Sequence, residues 1–456
     1  MHKPSDNLTL GTQHIRKLLI QYSLPAIIAM TAASLYNMVD SIFIGKGVGA
    51  LAISGLAATF PLMNIAAAFG SLVGVGAAAL ISLRLGQKDT AGANHILGNV
   101  VLLNLTIGIS LTVVALLFLD KMLLFFGASE NTLPYARDYM RVILYGTVIT
   151  HLYFGMNNVL RASGHPNKAM IAMLTSVIIN CFLNALFIFV FGWGIKGSAW
   201  ATVTSQVIAL SAIQISHFAN KKRLIHFRKE SFKLERSLVR GILSIGLSPF
   251  FMNLCSSAVV ILINQSLSKY GGDMAVGAYG IVNRIGFLIF MTVMGFNQGM
   301  QPIAGYNYGA KRYDRVMEAL KYTIACATIV TTTGFLASRF IPDKVAALFT
   351  NEPALIALAS EGLRIVFCLF PIVGFQMVTA NFFQSIGMAK KAIFLSLARQ
   401  LLFLIPFLLI FPHIWGTRGV WMSMPAADLV ASVISGSLLI WQLRQFRRLS
   451  KEMPKI

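Results

Sequence analysis

Apolar residues in this chain run in stretches of roughly twenty, and polar or basic residues collect in the gaps between them. That length suits helices crossing the ~30 Å hydrocarbon core of a bilayer. The stretches fall near 18–44, 52–80, 95–119, 136–159, 169–191, 197–218, 240–267, 277–304, 317–338, 362–385, 392–411 and 420–442. They predict an all-α integral membrane protein with twelve transmembrane helices. The second and eighth stretches are the richest in glycine and polar residues.

The pattern occurs twice in the same sense. Leu24-Pro25 at an offset of 224 meets Ser248-Pro249, and Arg84-Leu-Gly-Gln-Lys88 at an offset of 223 meets Asn307-Tyr-Gly-Ala-Lys311. Gly164 then falls on Gly387 at 223, and Gly197 on Gly419 at 222. So slow a drift predicts two pseudo-symmetric six-helix bundles: a first lobe over 1–218, a linker over 219–240 and a second lobe over 241–456. Same-sense repeats of hydrophobic helices are characteristic of transporters that alternate access between two lobes.

Composition narrows the class. Hydrophobic residues make up 56% of the chain and charged residues 12%, against about 25% charged in soluble domains. The formal net charge of +22 would suit nucleic acid, but the cations are sorted by topology. Alternate connections gather 27 of the 38 Lys and Arg on one side, eight of them in 221–240, and leave 8 on the other. By the positive-inside rule both termini are cytoplasmic, in a multi-pass protein of a bacterial inner (plasma) membrane. The basic balance then reads as topology and contact with membrane lipid, with no nucleic-acid partner. The linker reads as a basic tether held near the lipid surface. The polar stretch before Leu18 and the long first apolar run leave no cleavable signal peptide, so the first helix is itself the insertion signal. Cys181, Cys255, Cys326 and Cys368 have unrelated spacings and indicate neither a disulfide framework nor a metal site.

Ionisable side chains within spans are costly and mark functional sites. Of sixteen acidic residues, only Asp40 and Asp428 lie well inside apolar runs. Asp40 stands fifteen residues after Pro25, which removes a backbone hydrogen bond and predicts a bend in the same helix. A proton or a sodium ion can neutralise such a carboxylate; a structural role, capping neighbouring hydroxyls, is the alternative. In the fifth segment Asn180 and Asn184 are four residues apart on one face, and in the sixth Thr202 lies at similar depth. Carboxylate, amide and hydroxyl oxygens at one level suit a proton network or a hard cation, although Asn and Thr also join helices without any ion. Asp428, whose counterpart in the sixth segment is Gln206, is open to substrate-facing, proton-carrying and structural roles. Arg284 and Arg399 are open to a role as anion partners, although long side chains near helix ends usually snorkel.

Softer chemistry surrounds these groups. Asn37, Met38, Asn157, Gln206, Met252, Asn264, Gln298, Gln376 and Asp428 are candidate lining for a substrate cleft, methionine being adaptable to flat, greasy molecules. No phosphate-binding loop, zinc-protease motif or dinucleotide fingerprint is present. The chain therefore reads as no enzyme, without a cofactor, and driven by H+ or Na+.

The order and spacing of Pro25, Asp40, Arg84-Leu-Gly-Gln-Lys88, Arg161-Ala-Ser-Gly-His-Pro166 and the Gly-x-x-Gly starts at Gly194 and Gly416 resemble the multidrug and toxic compound extrusion (MATE) family over nearly the whole chain. In its branch with a first-lobe ion site, an Asp, an Asn, a second Asp and a Thr form that site. These resemble Asp40, Asn180, Asn184 and Thr202, with Asn184 departing from the pattern. The resemblance implies a monomeric H+- or Na+-coupled antiporter exporting small amphipathic, cationic organic compounds, with Asp40 coupling and Pro25 bending. A second branch uses acidic residues where this chain has Asn264, Gln265 and Gln376, so that mechanism is not expected. A lipid-linked oligosaccharide flippase of the same superfamily is one rival, a non-transporting channel or receptor another. Across the repeat Asp40 meets Asn264, Asn180 meets Phe403 and Thr202 meets Met424, so the ion chemistry is expected in the first lobe alone.

Overall fold

A computed structural model describes residues 6–452, apart from the side chains of 6–8, 35–38, 50, 451 and 452. Among the described residues the chain is helical without strands. The spans are α1 (Ile15–Gly47), α2 (Ala50–Gly86), α3 (Thr90–Leu117), α4 (Leu133–Tyr145 with Thr147–Ala162), α5 (Pro166–Val190) and α6 (Gly194–Ala209, continued through Ile215 to Ala219). Two longer helical runs each contain two spans. Arg236–Gly309 has 74 residues, roughly 110 Å at 1.5 Å per residue, far more than a bilayer accepts. It breaks at Gly272, whose φ of 66° and ψ of −168° lie outside helical geometry, giving α7 (236–271) and α8 (273–309). After α9 (Tyr313–Phe340) and α10 (Pro353–Val366 with Phe370–Ser385, bent by 58°), the last run breaks likewise at Gly416, φ 58°. That leaves α11 (389–415) and α12 (417–452).

The duplication is written in the backbone. Positive φ occurs at Gly49 and Gly272, Lys88 and Lys311, Gly164 and Gly387, and Gly194 and Gly416. The first three pairs share one offset and the last is shorter by a single position, as in the sequence. The two lysines close equivalent helix ends: Asp89 N donates to Arg84 O at 2.9 Å and Arg312 N to Asn307 O at 2.8 Å. Matching strain at matching positions means that the repeat is one of turns as well as of apolar segments.

Packing divides the chain into two compact units, one of Met1–Thr12 with Ile28–Asn253, the other of Gln13–Ile27 with Leu254–Ile456. Each unit thus takes the opening stretch of the helix that begins the other half. Pro25 and Pro249 stand just before the two divisions. In the first unit α7 meets α2 backbone to backbone: a Cβ at Gly246 would lie 1.7 Å from Leu72 O, and one at Gly76 2.1 Å from Ile242 O. In the second, a Cβ at Gly299 would lie 2.1 Å from Ser23 Oγ on α1. The first core gathers Leu62, Tyr139, Met140 and Ile188; the second gathers Leu267, Phe367, Val420 and Trp421.

The linker is more ordered than a tether. Asn94 on α3 donates to Leu224 O at 3.2 Å and accepts from His226 N at 2.8 Å. Five residues on, Asn99 donates to Lys233 O at 3.1 Å and accepts from Glu235 N at 3.1 Å. Each amide pairs with the linker backbone as a neighbouring strand would, and Gly98 leaves room for Ser231 between them. The rings of Phe218, Phe227 and Phe232 meet in sequence along the strap, tilted to one another by 56° and 41°.

Candidate functional site

The polar locus of the first unit is built by α1, α5 and α6. Gly197 admits close approach of α6 to α5: a Cβ there would sit 3.1 Å from the backbone of Phe187. Ser198 and Thr202 follow on one face of α6, one turn apart, and Asn180 and Asn184 share a face of α5. Asp40 comes from α1, which runs unbroken through Pro25.

The hydrogen bonds form a continuous path. Ser198 Oγ donates to Asp40 Oδ1 at 2.6 Å, with Asn184 beside the same carboxyl. Asn184 Nδ2 donates to Asn180 Oδ1 at 2.7 Å, and Asn180 Nδ2 to Thr202 Oγ1 at 3.2 Å. Thr202 Oγ1 returns to Ser198 O at 3.2 Å. Asp40 is 6% exposed, Asn180 2%, Asn184 and Ser198 0%. Asn184 Oδ1 is buried with no hydrogen-bond partner among the described residues, leaving an acceptor beside the only carboxylate of the cluster. The arrangement offers oxygens of three kinds around one acid, suited to a proton or to a small hard cation.

All four residues expected from the sequence thus meet, and Ser198 joins them. Its signal was its place one turn before Thr202, on the same helical face. Among the candidate cleft residues, Asn157 and Gln206 tie helices together: Asn157 Nδ2 donates to Ala169 O at 3.2 Å, and Gln206 Oε1 accepts from Thr150 at 2.6 Å. The side chains of Asn37 and Met38 lie outside the described residues. Met252 is half-buried on α7 in the first unit, while Asn264, Gln298 and the buried Gln376 belong to the second. No group of three or more His, Cys, Asp or Glu suited to a metal occurs among the described residues.

Of the two roles open to Arg399, the anion partner is the one observed: its Nε donates to Oδ1 of Asp428 at 2.5 Å, and Asp428 is 2% exposed.

Comparison with known proteins agrees with this architecture. The MatE family model matches residues 25–186 and 249–410, one match in each half. A multidrug export protein, MepA, of Staphylococcus haemolyticus is 26% identical over 430 residues, covering 94% of each chain. An outward-facing multidrug resistance MATE family transporter of the MOP superfamily superposes with a TM-score of 0.90 at 26% identity, covering 99% of this chain and 100% of its own. A MATE crystal structure in a bent conformation gives 0.91 at 26% identity, over 98% and 99%. With twelve helices in two bundles and a family match in each half, this multi-pass membrane protein belongs to the MatE family of transporters.

Proposed function

We propose that this chain is a multidrug exporter that expels amphipathic organic compounds, cations among them, in exchange for inward H+ or Na+, with Asp40 as the coupling carboxylate. The observation that carries this reading is the buried path from Asp40 through Ser198, Thr202, Asn180 and Asn184. A lone carboxylate buried among hydroxyl and amide groups is costly unless it is neutralised by a proton or a cation. The names of the staphylococcal relative and of the outward-facing neighbour point to drug export.

In this scheme the incoming ion is a substrate of the cycle. A proton needs only the Asp40 carboxyl. A sodium ion would also draw on Asn184 Oδ1 and the Ser198 and Thr202 hydroxyls. Neutralising Asp40 changes which hydrogen bonds α1 makes to α5 and α6. Pro25, in the same helix and beside the division between the units, is where α1 can absorb the resulting bend. The excess of cations on one side of the membrane supports cytoplasmic termini.

The test is efflux of a fluorescent organic cation from proteoliposomes under ΔpH and ΔNa+ imposed separately. Export driven by one gradient in the wild type, and abolished in Asp40→Asn with normal insertion, is the expected result. Wild-type export by Asp40→Asn would remove Asp40 from coupling, and uptake or leak without uphill export would refute antiport.

A further inference from the structure

Between Asp40 and the end of the first unit that the charge pattern assigns to the cytoplasm, polar contacts follow one another down the interface of α4, α5 and α6. Along α5 they descend from Asn180 to Lys168, about 18 Å at 1.5 Å per residue. One turn below Asn180, Ser176 Oγ lies 3.3 Å from Ser205 Oγ on α6. Tyr153 on α4 donates to Ala172 O at 3.3 Å, with Ser176 beside the same hydroxyl. Asn157, one turn further along α4, donates to Ala169 O at 3.2 Å. At the inner end Lys168 Nζ stands 3.0 Å from His217 Nδ1, and the rings of His165 and His217 meet edge to face with centroids 4.4 Å apart. Ser176, Ser205, Tyr153, Asn157 and His217 are all at most 7% exposed.

The repeat shows that the fold does not require this. At the offsets of 223 for α4 and α5 and 222 for α6, Asn180 meets Phe403, Asn157 meets Ala380, Thr202 meets Met424, Ser205 meets Ala427, Gln214 meets Gly436 and His217 meets Leu439. Polar residues do stand opposite Tyr153, as Gln376, opposite Ser176, as Arg399, and opposite Lys168, as Lys391. Arg399 is turned to Asp428 and Lys391 to Gln442, so neither continues a chain of hydroxyls. The second unit packs the equivalent helices largely through apolar side chains.

Gln214 marks the difference most sharply. It is 0% exposed, and neither its Oε1 nor its Nε2 has a hydrogen-bond partner among the described residues. Amides that tie helices together are paired, as Asn157 and Gln206 are; an unpaired one is costly as a structural group. Gln214 lies in Leu210–Ile215, wound as a wider helix and packed on α4 and α5, whereas α12 is ordinary α-helix at the equivalent turn. Wide turns of this kind concentrate at functional sites, and water satisfies a buried amide whose two ends are open.

We propose that this interface is the route by which a proton leaves Asp40 for the cytoplasm, with Gln214 positioning the water that carries the hydroxyl chain on to His217. The inference deepens the exporter reading, on which it rests, and names the proton as the coupling ion. In each passage the Asp40 carboxyl gives up one proton. Each hydroxyl or water takes one on an oxygen lone pair and releases its own to the next, and the last passes through the histidine pair to cytoplasmic water. Asp40 ends as a carboxylate and the relay is restored. The route is closed in the arrangement described: Thr202 Oγ1 and Ser205 Oγ donate to Ser198 O and Thr202 O of their own helix, so Thr202 offers no proton to Ser205. Rotation of these two hydroxyls is the step that opens it.

The test uses the full-length protein in proteoliposomes, with ethidium as the probe. Export driven by ΔpH is compared with counterflow, in which ethidium on the two sides exchanges without net proton movement. Gln214→Leu and Tyr153→Phe are expected to slow ΔpH-driven export about tenfold and counterflow less than twofold. Proton transfer then becomes the slow step, so export by both variants should slow in D2O by a larger factor than export by the wild type. Ser211→Ala, at an exposed hydroxyl of the same helix, should change neither rate. Equal losses in export and counterflow would make these residues structural and overturn the route. Wild-type export by both variants, or a D2O effect no larger than that of the wild type, would overturn it as well. Tyr153→Phe removes a single oxygen and carries the test if Gln214→Leu does not fold. Export by the wild type under ΔNa+ and not under ΔpH overturns the route and leaves the exporter reading standing; no uphill export under either gradient removes both.

Discussion

Ser198 Oγ donates to Asp40 Oδ1 across 2.6 Å, joining α6 to α1 at a carboxylate that is 6% exposed. Ser198→Ala removes the donor that favours the charged carboxylate and an oxygen that a sodium ion would take. A hydrogen bond to a charged group is worth about 1.5–3 kcal/mol, so the apparent ion affinity should move about tenfold or more, in opposite senses for the two ions. A proton-driven exporter would reach half-maximal efflux at a lower proton concentration, and a sodium-driven one at a higher sodium concentration. Efflux rates titrated against each ion check this; an unchanged titration would place Ser198 outside the coupling path.

Asn184→Asp would set a second carboxylate beside Asp40, where Asn184 Oδ1 is a buried acceptor without a partner among the described residues. The added acid needs its own counter-ion, so each cycle should carry about one more positive charge per substrate. Efflux measured at a series of valinomycin-clamped potentials should become more steeply voltage-dependent than in the wild type. Equal slopes would show that position 184 does not carry ion in the cycle.

The contact of α7 with α2 predicts where bulk is refused. A Cβ at Gly246 would lie 1.7 Å from the backbone oxygen of Leu72, which cannot swing aside as a side chain can. Gly246→Val should therefore cost at least about 1–3 kcal/mol and lower the unfolding temperature in detergent. Gly436→Ala on α12, where the nearest atoms are 3.8 Å away on Phe375, should be neutral. Similar melting of the two variants would contradict this packing.

Clamping of the linker by α3 predicts protection of its basic residues. Asn99→Ala removes two bonds to the backbone of Lys233 and Glu235, each worth about 0.5–1.5 kcal/mol. Trypsin should cut at Lys229 and Lys233 several-fold faster in Asn99→Ala than in the wild type, and faster still when Asn94→Ala is added. Equal cleavage rates in all three would return the linker to a free tether.

Much of this was legible in one dimension because it rests on periodicity and offset. Apolar runs of bilayer length announced spans, and the recurrence of Pro25 as Pro249, Lys88 as Lys311 and Gly164 as Gly387 announced two halves. Spacing of one helical turn put Asn180 and Asn184 on one face, and equal depth brought Asp40 and Thr202 into the same set. Ser198 escaped because a serine near the start of an apolar helix looks like any other. The strap over α3 escaped because Asn94 and Asn99 stand three helices earlier in the chain than the backbone they hold.

The primary structure settled the number of spans, the duplication and the chemical type of the rare buried groups, since hydrophobic length and side-chain charge are local properties. Partnership belonged to the folded chain. Whether Arg399 reached outward or turned to Asp428, and which neutral partners Ser176 and Gln206 found at the equivalent places, depended on how helices distant in sequence approach one another. The same holds for which unit the first turns of α1 join. Those approaches are governed by side-chain volume and by glycines such as Gly197, Gly246 and Gly299, and they exist only once the helices are packed.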